Sequence, residues 1–161
     1  MGFLPRILIA GSKSLYWSHT CGEKRLLLSH FNLVSIAADK MPSSGGSNDY
    51  AFSVWFYINN WNYNYGKEKI ILRRETSTGK KPIPEISLGA NSNDLMIKLT
   101  THNSSDATAG STEDVCPVKN VPLQKWVHML MTVNNRTCDV YIDGKLVKTC
   151  MLAGVAKLDN K

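Results

Sequence analysis

VPLQKWVHMLMTVNNRTCDVYIDGKLVKTCM, residues 121–151, decides the fold. Asn134-Asn135 and Asp143-Gly144 cut it into three short apolar runs. In the first, Val127, Met129, Met131 and Val133 share one face, and Trp126, His128 and Leu130 the other. In the second, Val140 and Ile142 alternate with Asp139 and Tyr141. Period-two alternation interrupted by turn residues predicts an antiparallel meander. Asp143-Gly144 suits a two-residue type I′ turn, because Gly accepts positive φ and Asp tolerates it. Such a turn sets Ile142 against Lys145 and Val140 against Val147.

Upstream, Phe52, Val54, Phe56 and Ile58 line one face of a buried strand, with Ser53, Trp55 and Tyr57 on the other. Further strands are expected at 31–38, 69–73, 85–89 and 95–100, about eight in all, with no helical periodicity between them. Residues 41–50, 61–66, 76–84 and 101–114 read as loops, and 152–161 as a short tail. Strands so spaced predict an all-β, two-layer antiparallel sandwich. Residues 1–30 show no sustained period and read as an irregular N-terminal extension. Residues 31–161 read as one domain.

Composition fits this picture. An apolar content of 43% in 161 residues supports a single buried core. The net charge of +6 comes from scattered lysines and arginines, with no basic block to favour a specific nucleic-acid partner. No apolar run is long enough to span a membrane. The N-terminal MGFLPRILIAGSKS makes a poor signal peptide, because Pro5 interrupts its short apolar core. The spacing of Cys21, Cys116, Cys138 and Cys150 matches no zinc pattern and leaves disulfide connectivity open. With the turn as drawn, Cys138 faces Thr149, which excludes a Cys138–Cys150 bond and favours Cys116 with Cys150.

The stretch carrying Trp126, His128, Tyr141, Asp143 and Gly144, with the strand Phe52–Ile58, resembles laminin-G-like (pentraxin-like) jelly rolls of the concanavalin A-like lectin/glucanase superfamily. The likeness runs from about Val34 to Leu152. The string FSVWFYINNWNYNYGKEKIILRR, together with Cys116 and Cys150, is similar to such proteins encoded by large DNA viruses. The resemblance implies a virion, extracellular or cell-surface setting. It also implies further strands after the final hairpin. Either residues 1–30 substitute for them, or the chain is a fragment lacking its last strand or strands.

Glucanases of this superfamily use Glu-x-Asp-x-x-Glu, which the chain lacks; Glu68, Glu75 and Glu85 look isolated, so no catalytic residues are expected. The chain also has no nucleophile elbow, and its histidines show no metal-ligand spacing. Glycan binding is the positive expectation. Trp61, Tyr63 and Tyr65 offer rings to stack on sugars, and Asn62 and Asn64 offer amides. Calcium is the one cofactor the resemblance brings, with Asp49, Asn93 and Asp94 as its ligands. Trp126, His128, Tyr141, Asp143 and Gly144 read as scaffold, and Asn103 and Asn135 head glycosylation sequons. A non-catalytic module that binds a glycan or a protein surface follows, with a structural virion-assembly protein as the alternative and a glycoside hydrolase behind both. The oligomeric state is left open.

Overall fold

A computed structural model of the chain describes residues 6–10, 25–28, 33–37, 48–58, 60, 62, 64–75, 81–102 and 112–157. Its strands are β1 (Arg6–Ala10), β2 (Arg25–Leu28), β3 (Leu33–Ala37), β4 (Tyr50–Ile58), β5 (Lys69–Glu75), β6 (Pro82–Leu88), β7 (Leu95–Thr101), β8 (Thr112–Val118), β9 (Trp126–Asn134), β10 (Thr137–Ile142) and β11 (Lys145–Met151). Two sheets form, in the orders β3-β1-β5-β6-β7-β8 and β11-β10-β9-β4-β2. The pairings are antiparallel except that of β2 with β4. The all-β jelly-roll sandwich expected from the sequence is what forms, and no helix occurs among the described residues.

The core is built from the faces that alternation selects. Val127, Met129, Met131 and Val133 of β9 are buried, as are Val54, Phe56 and Ile58 of β4 and Val140 of β10. Ile86, Leu88, Leu95, Ile97 and Leu99 meet them from the other sheet. Burying each such side chain stabilises the fold by about 1.5–3 kcal/mol. β6 starts earlier than its sequence suggests, at Pro82. Its ladder with β7 begins only at Glu85, so neither Pro82 nor Pro84 has to supply an N–H there.

The final hairpin turns on Asp143 (φ 50°) and Gly144 (φ 78°), as a type I′ turn requires. Its register departs from the simple one. Ile142 faces Lys145 and Tyr141 faces Leu146, but Val140 then faces Lys148. Val147 is the extra residue of a β-bulge. The slip places Cys138 opposite Cys150, not Thr149. The argument that those two thiols point to opposite sides is therefore overturned. The bond itself is Cys116–Cys150, which ties β8 of one sheet to β11 of the other, while Cys138 is a buried free thiol.

Three strands fall outside the sequence reading. β8 occupies part of the expected 101–114 loop and runs on to Val118. β1 and β2 lie within the first thirty residues: β1 sits between β3 and β5, and β2 flanks β4. The expected tail also has a built course. His102 donates its N–H to the Val155 carbonyl (2.8 Å), Lys157 donates to Thr100 (2.8 Å), and Ala156 bridges Thr101. The Arg136 guanidinium donates to the Leu152 and Ala153 carbonyls.

Candidate functional site

Four connections gather at one end of the sandwich. The Gln124 N–H donates to the Ile58 carbonyl (3.0 Å), which brings the 119–125 loop to the end of β4. The Gly66 N–H reaches Ala90 (3.1 Å) and the Val121 N–H reaches Asn93 (2.9 Å). The β10–β11 turn joins them through the Asp143 N–H, which donates to the His128 carbonyl (2.8 Å).

The aromatic-Asn loop leaves β4 at this end. Its turns are local: Asn60 Oδ1 accepts from the Asn62 N–H, the Tyr65 N–H donates to Asn62, and the Lys67 N–H donates to Asn64. Asn64 (φ 52°) and Gly66 (φ 80°) take the left-handed conformation that the reversal needs, and amide and glycine residues bear this best. The buried Lys69 ammonium donates to the Lys67 and Ala90 carbonyls at the loop base. Of the five sequence-predicted ligand residues, Asn62, Asn64 and Tyr65 are exposed, Tyr65 at 62%. Trp61 and Tyr63 lie outside the described residues, as does the Asn103 sequon.

The outer face of the five-stranded sheet continues the aromatic surface toward this loop. Tyr57 pairs in register with Trp126, their rings 5.7 Å apart, and Trp126 is 41% exposed. Tyr57 stands one residue before Ile58, where the loop departs. Further along the strands the His128 ring packs on Trp55 (4.8 Å), with its Nε2 2.8 Å from the Ser53 hydroxyl. The signal for Tyr57 and Trp126 was present in the sequence: both fall on the parity opposite the core residues. What the sequence did not give was the register that sets them side by side.

The residues considered for calcium do not converge. Asp49 Oδ1 accepts from the Asn135 N–H (2.9 Å), beyond the far end of β9. Asn93 and Asp94 serve the near end, where Asn93 Nδ2 donates to Asn120 Oδ1 and the Val121 carbonyl. Asp94 Oδ1 accepts from the Asn120 N–H (3.0 Å). That bond holds the Asp94 carboxyl below its ordinary range. A nine-residue strand separates the two groups, roughly 25–30 Å. Among the described residues no three His, Cys, Asp or Glu side chains are placed to share a metal.

Two carboxylates that look isolated in the sequence do meet. Glu68 and Glu85 both accept from the Lys98 ammonium, at 2.9 Å each, and Arg73 adds a 3.0 Å ion pair to the buried Glu85. Burial pushes the Glu68 carboxyl up, but hydrogen bonds from Lys98 and Ser87 outweigh it and leave its pKa lowered. Glycosidic acid catalysis needs one carboxyl raised. The Lys98 ammonium leaves Glu68 in the opposite condition. Glu75, the third of the isolated acids, ends β5, and its side chain is outside the described ones.

A scan against protein-family models matches residues 32–161 to Laminin_G_3, of the concanavalin A-like lectin/glucanases superfamily. No curated protein and no solved structure matches the chain. Among the described residues no helix is long and apolar enough to cross a membrane. With two packed sheets and a match covering most of its length, the chain belongs to the laminin-G-like family of the concanavalin A-like lectin/glucanase superfamily.

Proposed function

We propose that this protein is a non-catalytic recognition module whose ligand, a glycan or a glycan-bearing protein surface, docks on the loop end of the sandwich. The observation that carries the reading is Tyr65, exposed at 62% in the same loop as the exposed Asn62 and Asn64. Tyr57 and Trp126 extend the ring surface at the same end, and Trp61 and Tyr63 belong to the same loop by sequence. Rings stack on sugar C–H faces, and amides fix the hydroxyls. The Lys98-bridged carboxylates support binding without turnover. The Cys116–Cys150 bond supports an oxidising setting, such as an extracellular space or a particle surface.

A glycan array tests this. Wild type is expected to be retained, and Tyr65→Ala combined with Trp126→Ala is expected to lose retention without losing its fold. Absence of wild-type retention, or equal retention by the double variant, sinks the glycan reading. Adding a chelator tests a role for calcium through Asn93 and Asp94, since retention that requires the metal falls when it is removed.

A second reading, an assembly component of a virion, is favoured by the apolar side chains at the free edge of the five-stranded sheet. Leu146 is 55% exposed and Met151 75%. Concentration-dependent self-association in sedimentation, abolished by Leu146→Ser and Met151→Ser, would support it.

A further inference from the structure

The corner where edge strands β8 and β11 face each other is open. A cleft of about 590 Å³ lies there, walled by Pro117, Val118, Val121, Pro122, Ile142 and Val147. That volume falls within the range of small-ligand and peptide-side-chain clefts. The opening follows from the turn and the bulge together. Directly opposed residues share a face, so Lys145 and Lys148 lie on the core side of β11, beside the buried Ile142 and Val140. An apolar residue at either position would close the sandwich. A lysine instead carries its ammonium outward along the gap.

The charge around the cleft is one-sided. Lys119, Lys145 and Lys148 line it, and none forms an ion pair among the described residues. The one acid in its wall, Asp143, is already engaged. Its Oδ2 takes the Lys125 ammonium (3.1 Å) and its Oδ1 the His128 N–H (2.9 Å). Asp94, whose carboxyl feels the charge of Lys119, is held by the Asn120 N–H. No aromatic side chain lines the cleft, so it offers no stacking surface to a pyranose ring. Aliphatic walls and proline faces accept aliphatic side chains, and the three ammonium groups accept carboxylates.

We propose that this corner cleft is a docking site for an acidic, extended polypeptide segment, with aliphatic side chains inserted between β8 and β11 and carboxylates on Lys119, Lys145 and Lys148. The bulge and the inward lysines block strand-on-strand pairing along β11. The segment is therefore held by its side chains, not as an added strand. The site lies at the same end of the sandwich as the aromatic loop but is built from different residues, and it does not depend on glycan binding.

The test uses the full chain and a fluorescent peptide of about ten residues, with Glu or Asp alternating with Val, Leu or Pro. Saturable binding that weakens with salt is expected, with backbone amide shifts confined to residues 117–122 and 142–148. Lys145→Glu with Lys148→Glu should weaken it on the order of tenfold or more, because like charges then face each other across a docked surface. Both lysines are exposed, so the variant should keep the wild-type unfolding temperature. Tyr65→Ala with Trp126→Ala should leave peptide binding unchanged, which separates the two sites. No peptide binding, or binding indifferent to the lysine reversal, overturns the proposal. Lysine-dependent binding of a sulfated oligosaccharide in place of the peptide also overturns it.

Discussion

Gly154 sits where the returning chain crosses the end of β7, against the backbone of His102. A Cβ there would run into the His102 carbonyl, and backbone cannot swing aside as a side chain can. Gly154→Ala is expected to lower stability by about 1–3 kcal/mol, read as a shift of the chemical-unfolding midpoint at constant slope. Charge matters at the same scale. The Glu68 pKa is lowered in the folded chain from an ordinary value of 4.5. Its contribution is therefore full above that value and is lost as pH falls through the lowered one. Thermal unfolding followed from pH 7 to 3 should show an acid-side decline that Glu68→Gln reduces. On the alkaline side, burial raises the Cys138 thiol from 9.0 to about 12. Folding favours the protonated thiol, so stability is full below 9 and falls as pH rises toward 12. Cys138→Ala should remove that part of the alkaline decline.

Among the elements, β11 shows how far a pattern of residues reaches. Its existence, its turn and its pairing with β10 were legible in alternation and in Asp143-Gly144. The bulge was not, because one inserted residue reverses parity without changing composition. It puts Lys148, in place of Val147, on the core side beside Lys145, which the turn already sets against Ile142. β8 was hidden for a related reason. Only Cys116 and Val118 of its seven residues are buried, and Pro117 lies in it, which an edge strand tolerates and a central one does not. The aromatic loop could be picked out by composition, whereas Tyr57 beside Trp126 needed a long-range register. If the inward lysines guard the β11 edge, Lys145→Val with Lys148→Val should close the corner and expose an unguarded strand. The expected outcome is oligomer formation in size-exclusion chromatography at concentrations where wild type runs as a smaller species. An unchanged elution volume would assign the lysines no protective part.

For the molecule as a whole, the first thirty residues bear on both sheets at once. β1 lies between β5 and β3, and β2 covers the outer side of β4. Deleting residues 1–30 would detach β3 from its sheet and turn β4 and β5 into free edges. The truncated chain is expected to unfold at lower temperature and to aggregate. A soluble 31–161 fragment with the wild-type midpoint would instead make that region a dispensable extension. The slipped register of the last hairpin also bears on how the chain reaches its oxidised form. Cys138 lies across the ladder from Cys150, closer along the chain than the Cys116 to which Cys150 is bonded. Joining Cys138 to Cys150 closes a loop about a third as long. Chain entropy therefore favours that wrong pairing by about 0.9 kcal/mol before the two sheets have docked. The hairpin forms from local contacts, while the correct bond waits for long-range ones. Cys138, a free thiol in the finished fold, is thus a rival during its making. Replacing it by Cys138→Ala should raise the yield of the Cys116–Cys150 species when reduced chain is oxidised, as counted by peptide mapping.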